Sequence, residues 1–344
     1  MLPPRIVRRL VLAPLVVVLA VAALVTLPVW LLVVAAASLR LPPPQRRGTR
    51  LVWFAVAWLT LETMALLACF GIWVVSGFGG RLSRDEYEDR HYALIKWFLG
   101  RVYGAAERIF GLRVLMEAPP PTPGELSRRL TRPVIVLARH AGPGDSVLLV
   151  HHLLSVYGRR PRIVMKAALR LDPSLDVLTG RVPSAFVPRG SGAGGVVAEI
   201  RRLAAGMDPD DALVIFPEGG NFTPRRRARA IRRLENKGLA EEAARARRLT
   251  HLLPPHPGGA FAAIDACPAA DVVFVAHTGL DDLVTLGDLW TKLPTHAEVR
   301  ATWWRVDADD VPRDREEQVH WLYDNWARID AWITANHRAP TAGA

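Results

Sequence analysis

Pro133-Val134-Ile135-Val136-Leu137-Ala138-Arg139-His140-Ala141-Gly142-Pro143-Gly144-Asp145 is the stretch that decides the fold. Its first six residues are an apolar, largely β-branched run, the pattern of a strand covered on both faces. Glycine and proline then break the strand, and Asp145 opens a second apolar stretch, Ser146-Val147-Leu148-Leu149-Val150. Further β-rich runs fall at 162–166, 184–187, 212–216, 271–277 and 297–306, with helical stretches between most of them. Strand and helix in alternation predict an α/β domain with a largely parallel sheet flanked by helices. Sites in such sheets collect beyond the carboxyl ends of the strands. His140 lies two residues past the first run.

A neutral imidazole takes up a proton near neutral pH, and a carboxylate on its other nitrogen fixes the tautomer and stabilises the imidazolium. His140 and Asp145 are therefore candidates for activating a hydroxyl. The same string also reads as a loop histidine followed by an aspartate N-cap. No Gly-x-Ser-x-Gly elbow occurs in the chain, which points to a hydroxyl of the substrate rather than of the protein. Other candidates sit at equivalent strand ends. Arg189 follows Ala185-Phe186-Val187-Pro188, and the glycine-rich loop after it lacks the Gly-Lys-Ser/Thr ending of a P-loop. The run 212–216 leads into Pro217-Glu218-Gly219-Gly220-Asn221-Phe222-Thr223-Pro224, a polar cluster at a strand end. Thr223 reads equally as a helix N-cap with Pro224 behind it. Glu218, before two glycines, has no obvious folding purpose and is read as functional.

Half of the 344 residues are hydrophobic, and they are concentrated near the start. Residues 10–39 carry no charge and 51–80 only Glu62, so each run exceeds the ~20 residues that span a bilayer. Neither resembles a cleaved leader, since the first is too long and a second follows closely. Arg5, Arg8 and Arg9 argue for a cytoplasmic start, while Arg40, Arg46, Arg47 and Arg50 sit in the connecting loop. The runs either cross the bilayer against the positive-inside rule or return within one leaflet, with bends at Pro14 and Pro28. In both cases the rest of the chain lies on the side of the N-terminus, expected to be the cytoplasmic face of the cell membrane. Three regions follow: a membrane-anchoring segment at 1–80, an amphipathic helix and Pro-rich spacer at 81–124, and the α/β domain at 125–344. The segment 313–337, with Trp321, Trp326 and Trp332, reads as a helix whose tryptophans belong to the core.

The net charge of +11 has a local source: ten Lys or Arg between residues 225 and 248 face only Glu235, Glu241 and Glu242. No aromatic residue interleaves them, which argues against nucleic acid. Anionic lipid headgroups or plain solvation of a helix face account for them better. The two cysteines are too few for a zinc cluster, and the histidines show no ligand spacing, so no metal site is expected.

Taken together, His140-x4-Asp145, Phe186-Val187-Pro188-Arg189, Phe216-Pro217-Glu218-Gly219 and Leu253-Pro254-Pro255 resemble, in order and spacing, four blocks of the glycerolipid acyltransferases. The nearest branch is 1-acylglycerol-3-phosphate (lysophosphatidic acid) acyltransferase. Lys166 and Asp172-Pro173 agree with it too, and the likeness covers roughly residues 133–280. The resemblance implies that His140, oriented by Asp145, removes a proton from a glycerol hydroxyl, which attacks the thioester of acyl-CoA or acyl-carrier protein. No further cofactor is implied. It assigns acceptor binding to Arg189 and the loop Glu218, Gly219, Gly220 and Asn221, with Lys166 and Thr223 beside them. Two positions depart from the pattern. Arg139 stands where the family usually has Asn, and Gly220-Asn221 where it has Thr-Arg. Arg139 and Arg225, Arg226 or Arg227 are the candidates to restore the missing charge. Otherwise the acceptor is a glycolipid or another lysophospholipid, or the chain is an inactive membrane lipid-binding protein.

Overall fold

The computed structural model describes residues 2–40, 47–117, 131–188, 190, 192–279 and 298–336. The strands are β1 (Arg113–Met116), β2 (Val134–Ala138), β3 (Arg160–Lys166), β4 (Ser184–Val187), β5 (Asp211–Ile215), β6 (Asp271–Thr278) and β7 (Glu298–Val306). They form one seven-stranded sheet in the order β1-β7-β6-β2-β5-β3-β4. β6, β2, β5, β3 and β4 are mutually parallel, whereas β7 returns antiparallel to β6 and β1 adds parallel to β7. All six strand runs read from the sequence take part. β1 is an addition: a short and mostly exposed edge strand, it carries no alternation that would mark it.

β2 is the middle strand, and all five of its residues are buried, which explains its unbroken apolar composition. Its side chains divide by parity between the two faces. Ile135 and Leu137 enter the larger core, with helices α6 (Ala193–Ala204), α9 (Pro257–Ala266) and α10 (Arg315–Asn336). In that core Trp326 is wholly buried, with Trp321 and Trp332 packed against it. Val134, Val136 and Ala138 meet α4 (Pro143–Ser155) on the opposite face through Leu149 and Leu153. α5 (Pro173–Leu178) lies between β3 and β4, and the basic run forms α7 (Pro224–Asn236) and α8 (Ala240–Arg248).

The N-terminal apolar runs become α1 (Ala13–Arg40), entered through a turn at Arg5–Val7 and a π-helical stretch at Arg8–Leu12, and α2 (Arg47–Val75). The π-helical stretch gives way to α-helix next to Pro14, which has no N–H to donate. Two spans, Arg5–Val33 and Arg50–Val75, are long and apolar enough to cross a membrane. α3 (Asp85–Phe110) is the amphipathic helix expected within 81–124, and Asp85, Glu86 and Glu88 occupy its first turn, where the helix dipole favours acids. Its buried residues Tyr92, Ile95, Phe98, Leu99 and Val102 form one stripe against Phe54, Trp58, Leu61, Ala65 and Cys69 of α2. Val150 and Leu154 of α4 join the same cluster. The Pro-rich spacer at 118–124 lies outside the described residues.

Candidate active site

His140 sits just beyond the end of the middle strand, and each neighbouring strand holds it from one side. On the β5 side, Glu218 follows the strand and is 3 % exposed. Its Oε1 accepts the backbone N–H of His140 at 2.8 Å, and its Oε2 accepts that of Leu253 at 2.9 Å. The carbonyl of His140 accepts the N–H of Phe222 at 3.3 Å, so both backbone groups of the histidine are fixed by the loop after β5. The Phe216 ring packs beside the imidazole with centroids 4.7 Å apart. Burial pushes the Glu218 carboxyl up to about 7, against the opposing pull of the Leu253 and His140 N–H groups.

Asp145 is the third residue of α4, not its N-cap; Gly142 holds the N-cap position. The capping bonds are nevertheless made: Oδ2 accepts Ala141 N–H at 2.7 Å and Gly142 N–H at 3.0 Å. His140 Nδ1 lies 3.2 Å from Oδ1 and 3.1 Å from Oδ2, and Ser146 Oγ donates to Oδ1 at 3.1 Å. Burial by itself would raise the Asp145 carboxyl. The His140 hydrogen bond, the nearby His277 and the Gly142 N–H outweigh it and hold the group below its ordinary range. One carboxylate therefore closes the first turn of α4 from the third position and also faces the imidazole. With Nδ1 facing this acceptor, Nε2 is the nitrogen left to take a proton.

His277, at the end of β6, is the residue sequence reading missed. Its Nε2 lies 3.8 Å from Asp145 Oδ2 and 3.3 Å from the carbonyl oxygen of Arg139. The strand-end rule that selected His140 selects it too, since the run 271–277 ends on this histidine.

Several expected binding residues take other places. Arg139 is 1 % exposed, and its Nη1 donates to the carbonyl of His277 at 2.7 Å. It lies behind the histidine and cannot restore charge on the solvent side. Glu218 has both oxygens engaged by backbone N–H groups, so it positions His140 and does not bind an acceptor. Thr223 is the N-cap of α7, accepting Arg226 N–H at 3.2 Å. Gly219 adopts φ +66°, the left-handed region that a side chain disfavours. The Arg226 guanidinium folds back over this loop: its Nη1 donates to the Asn221 carbonyl at 3.1 Å and would lie 3.1 Å from a Cβ on Gly220. Of the three arginines considered for the missing charge, Arg226 is the one brought to the loop. Arg227 donates to the Arg247 carbonyl instead, and Arg225 is exposed. Lys166 is exposed at the end of β3, paired in register with Val187. Arg189 lies outside the described residues.

An apolar cavity adjoins the pair. Asp145 and His277 line one end, and Val136, Leu149, Val275 and Trp303 form walls between the sheet and α4. Val134, Arg159 and Arg305 line the end farther along the strands, where Arg305 is held by Asp271. Residues 122–278 match the family model described as Acyltransferase. This segment is a glycerolipid acyltransferase domain. The acyltransferase match contains His140, Asp145, Glu218, Arg226 and His277, and leaves the two apolar N-terminal helices outside it. No curated protein matches the chain.

Proposed function

We propose that this acyltransferase moves a fatty acyl group from acyl-CoA or acyl-carrier protein to the free hydroxyl of a lysophospholipid. The acceptor is 1-acylglycerol-3-phosphate and the product phosphatidic acid. The observation that carries the reading is the His140–Asp145 pair, whose aspartate also lines an apolar cavity. In this reading the acyl chain occupies the cavity, with its thioester carbonyl near His140. Nε2 takes the proton of the acceptor hydroxyl as its oxygen attacks the carbonyl carbon. The carbon–sulfur bond then breaks, and the imidazolium returns the proton to the departing thiolate. No acyl-enzyme forms. General base catalysis of this kind contributes about 10²- to 10⁴-fold, and holding the two substrates together adds the larger share. Arg226 over the glycine loop supplies the cation for the acceptor phosphate.

The packing of α2 supports a monotopic attachment. From Phe54 to Cys69, roughly 22 Å of helix, one face is covered by α3 and α5. Leu67, Phe70 and Val75 on its other face stay exposed, as do Leu10 just before α1 and Val18, Val25 and Leu32 along it. Such a surface suits the acyl region of one leaflet, with the domain on the cytoplasmic side. Exposed Arg225, Arg229, Arg232 and Arg233 of α7 would add about 1 kcal/mol each toward an anionic surface. The test is transfer of radiolabelled acyl groups from acyl-CoA by the full-length protein to lysophosphatidic acid, lysophosphatidylcholine and a glycolipid. Product from lysophosphatidic acid that His140→Ala abolishes is expected. Absence of that product overturns the acceptor, and retained transfer by His140→Ala overturns the base.

A further inference from the structure

Where the start of α1 meets the domain, arginines gather around a single carboxylate. Arg8 grips Asp176 of α5 with two bonds, Nε to Oδ2 at 3.2 Å and Nη2 to Oδ1 at 3.0 Å, and both side chains are buried. Two more guanidiniums approach the same carboxylate without bonding it: Arg9 Nε at 4.0 Å and Arg170 Nε at 3.6 Å. Arg5 and Arg181 lie close enough to Arg9 to repel it. Among the described residues, the Nε atoms of Arg9, Arg170 and Arg181 are buried without a hydrogen-bond acceptor. The nearest other acids are occupied: Asp172 accepts Leu175 N–H and Ser174 Oγ–H, and Glu62 faces Ser174. One carboxylate, already held by Arg8, cannot also compensate the partly buried guanidiniums of Arg9, Arg170 and Arg181.

Such a cluster calls for an anion with several acceptor oxygens, and guanidinium forks match phosphate best. Its position selects the source. Ile6 and Leu10, on the same turns as Arg5 and Arg9, are each 71 % exposed and begin the apolar surface of α1. The cluster thus lies at the level where headgroups would meet that surface. It is also displaced from the candidate active site. Arg170 stacks on Phe186 of β4 at 4.2 Å, and β4 lies three strand spacings from β2, about 14 Å. The acceptor hydroxyl is only four bonds from its own phosphorus, too short a reach. We infer that Arg9, Arg170 and Arg181, arranged by the Arg8–Asp176 pair, form a seat for the phosphate of an anionic bilayer phospholipid distinct from the acceptor, one that a zwitterionic lipid does not fill.

The experiment is thermal unfolding of the full-length protein in detergent with dioctanoyl phosphatidylglycerol, dioctanoyl phosphatidylcholine or inorganic phosphate. At about a hundredfold excess over Kd, phosphatidylglycerol should raise Tm by roughly 4 °C, and the other two should not. Arg170→Gln/Arg181→Gln should lose the rise while its lipid-free Tm equals or exceeds that of the parent, since repulsion is relieved. Arg9→Gln alone gives the same readout if the double variant does not fold. An undiminished rise in these variants overturns the seat. Equal stabilisation by inorganic phosphate overturns the lipid, and a raised KM for the acceptor with unchanged kcat reassigns the cluster to the acceptor. The readout needs no turnover, so it stands or falls separately from the acyl-transfer reading.

Discussion

Replacing Asp145 by Asn tests the role of the tautomer. The carboxylate Oδ2 accepts two backbone N–H groups, at 2.7 and 3.0 Å, and an amide must place its oxygen there or set donor against donor. The NH₂ then occupies the Oδ1 position, 3.2 Å from His140 Nδ1 and 3.1 Å from Ser146 Oγ. An N–H donor at that point favours a lone pair on Nδ1, which puts the imidazole proton on Nε2, over the alternative in which Nδ1–H donates to the amide oxygen at the Oδ2 position, 3.1 Å away. The nitrogen that should take the substrate proton then already carries one. General base catalysis supplies about 10²- to 10⁴-fold, and the same exchange in a Ser-His-Asp triad lowers kcat by about 10⁴. A fall in kcat of at least about 100-fold is expected, with KM little changed because Asp145 is buried and does not bind the acceptor. The two backbone bonds persist, so stability should fall by only about 1–2 kcal/mol. Initial rates of thiol release from acyl-CoA at saturating acceptor, alongside Tm, give both quantities. A kcat within tenfold of the parent, in a folded variant, would refute the tautomer argument.

Glu218→Gln should change the pH dependence of stability: the folded carboxyl, at about 7, lies above its ordinary 4.5, so the folded state binds the proton more tightly. Stability from this group falls as pH rises through that window, by about 3 kcal/mol overall, and the Gln variant should lose this slope in Tm scans between pH 5 and pH 8. An identical slope in both proteins would place the titration elsewhere. Arg226→Ala should raise KM for lysophosphatidic acid about tenfold through loss of a charge-assisted bond, while Arg225→Ala leaves it unchanged; equal effects would remove the special place of Arg226. Ala301→Trp or Val136→Phe should shorten the preferred acyl chain, because both positions line the cavity, at a stability cost of about 1–3 kcal/mol. A product profile identical to the parent's would exclude the cavity as the acyl site.

The sheet was legible in the sequence because its strands are either wholly buried, as β2 and β5, or punctuated by proline and glycine, as β4 is by Pro188. β1 was not, since an edge strand of four mostly exposed residues owes its state to pairing with β7, nearly two hundred positions away. The pairing of His140 with Asp145 followed from spacing, but the work of Glu218 did not. Its two acceptors meet the N–H groups of His140 and Leu253, which stand on separate segments, and only the folded chain reveals that a carboxylate before two glycines ties them together. Arg139 misled for a related reason. A charged residue beside a candidate base reads as a ligand contact, yet a guanidinium can be buried when a carbonyl such as that of His277 receives it.

α4 couples the packing of the N-terminal helices to the candidate site. Over thirteen residues it presents three surfaces. Asp145, at its third position, meets His140; Leu148, Leu149 and Leu153 wall the cavity; Val150 and Leu154 enter the cluster shared with α2 and α3. Helical periodicity makes this possible, since residues 149 and 153 are one turn apart while 150 and 154 point about 100° away. α3 therefore links α2 to α4, and α4 in turn walls the cavity and carries the aspartate that faces the proposed base. A rotation of α4 large enough to release α3 would also carry Asp145 away from His140, because Asp145 is the third residue of that helix. In this arrangement the proposed base keeps its orienting carboxylate only while α4 stays docked on α3, which packs along α2. Substitutions that loosen Trp58 or Leu61 should lower kcat without touching the reacting groups, and a variant that sheds α2 packing yet keeps full kcat would break the link.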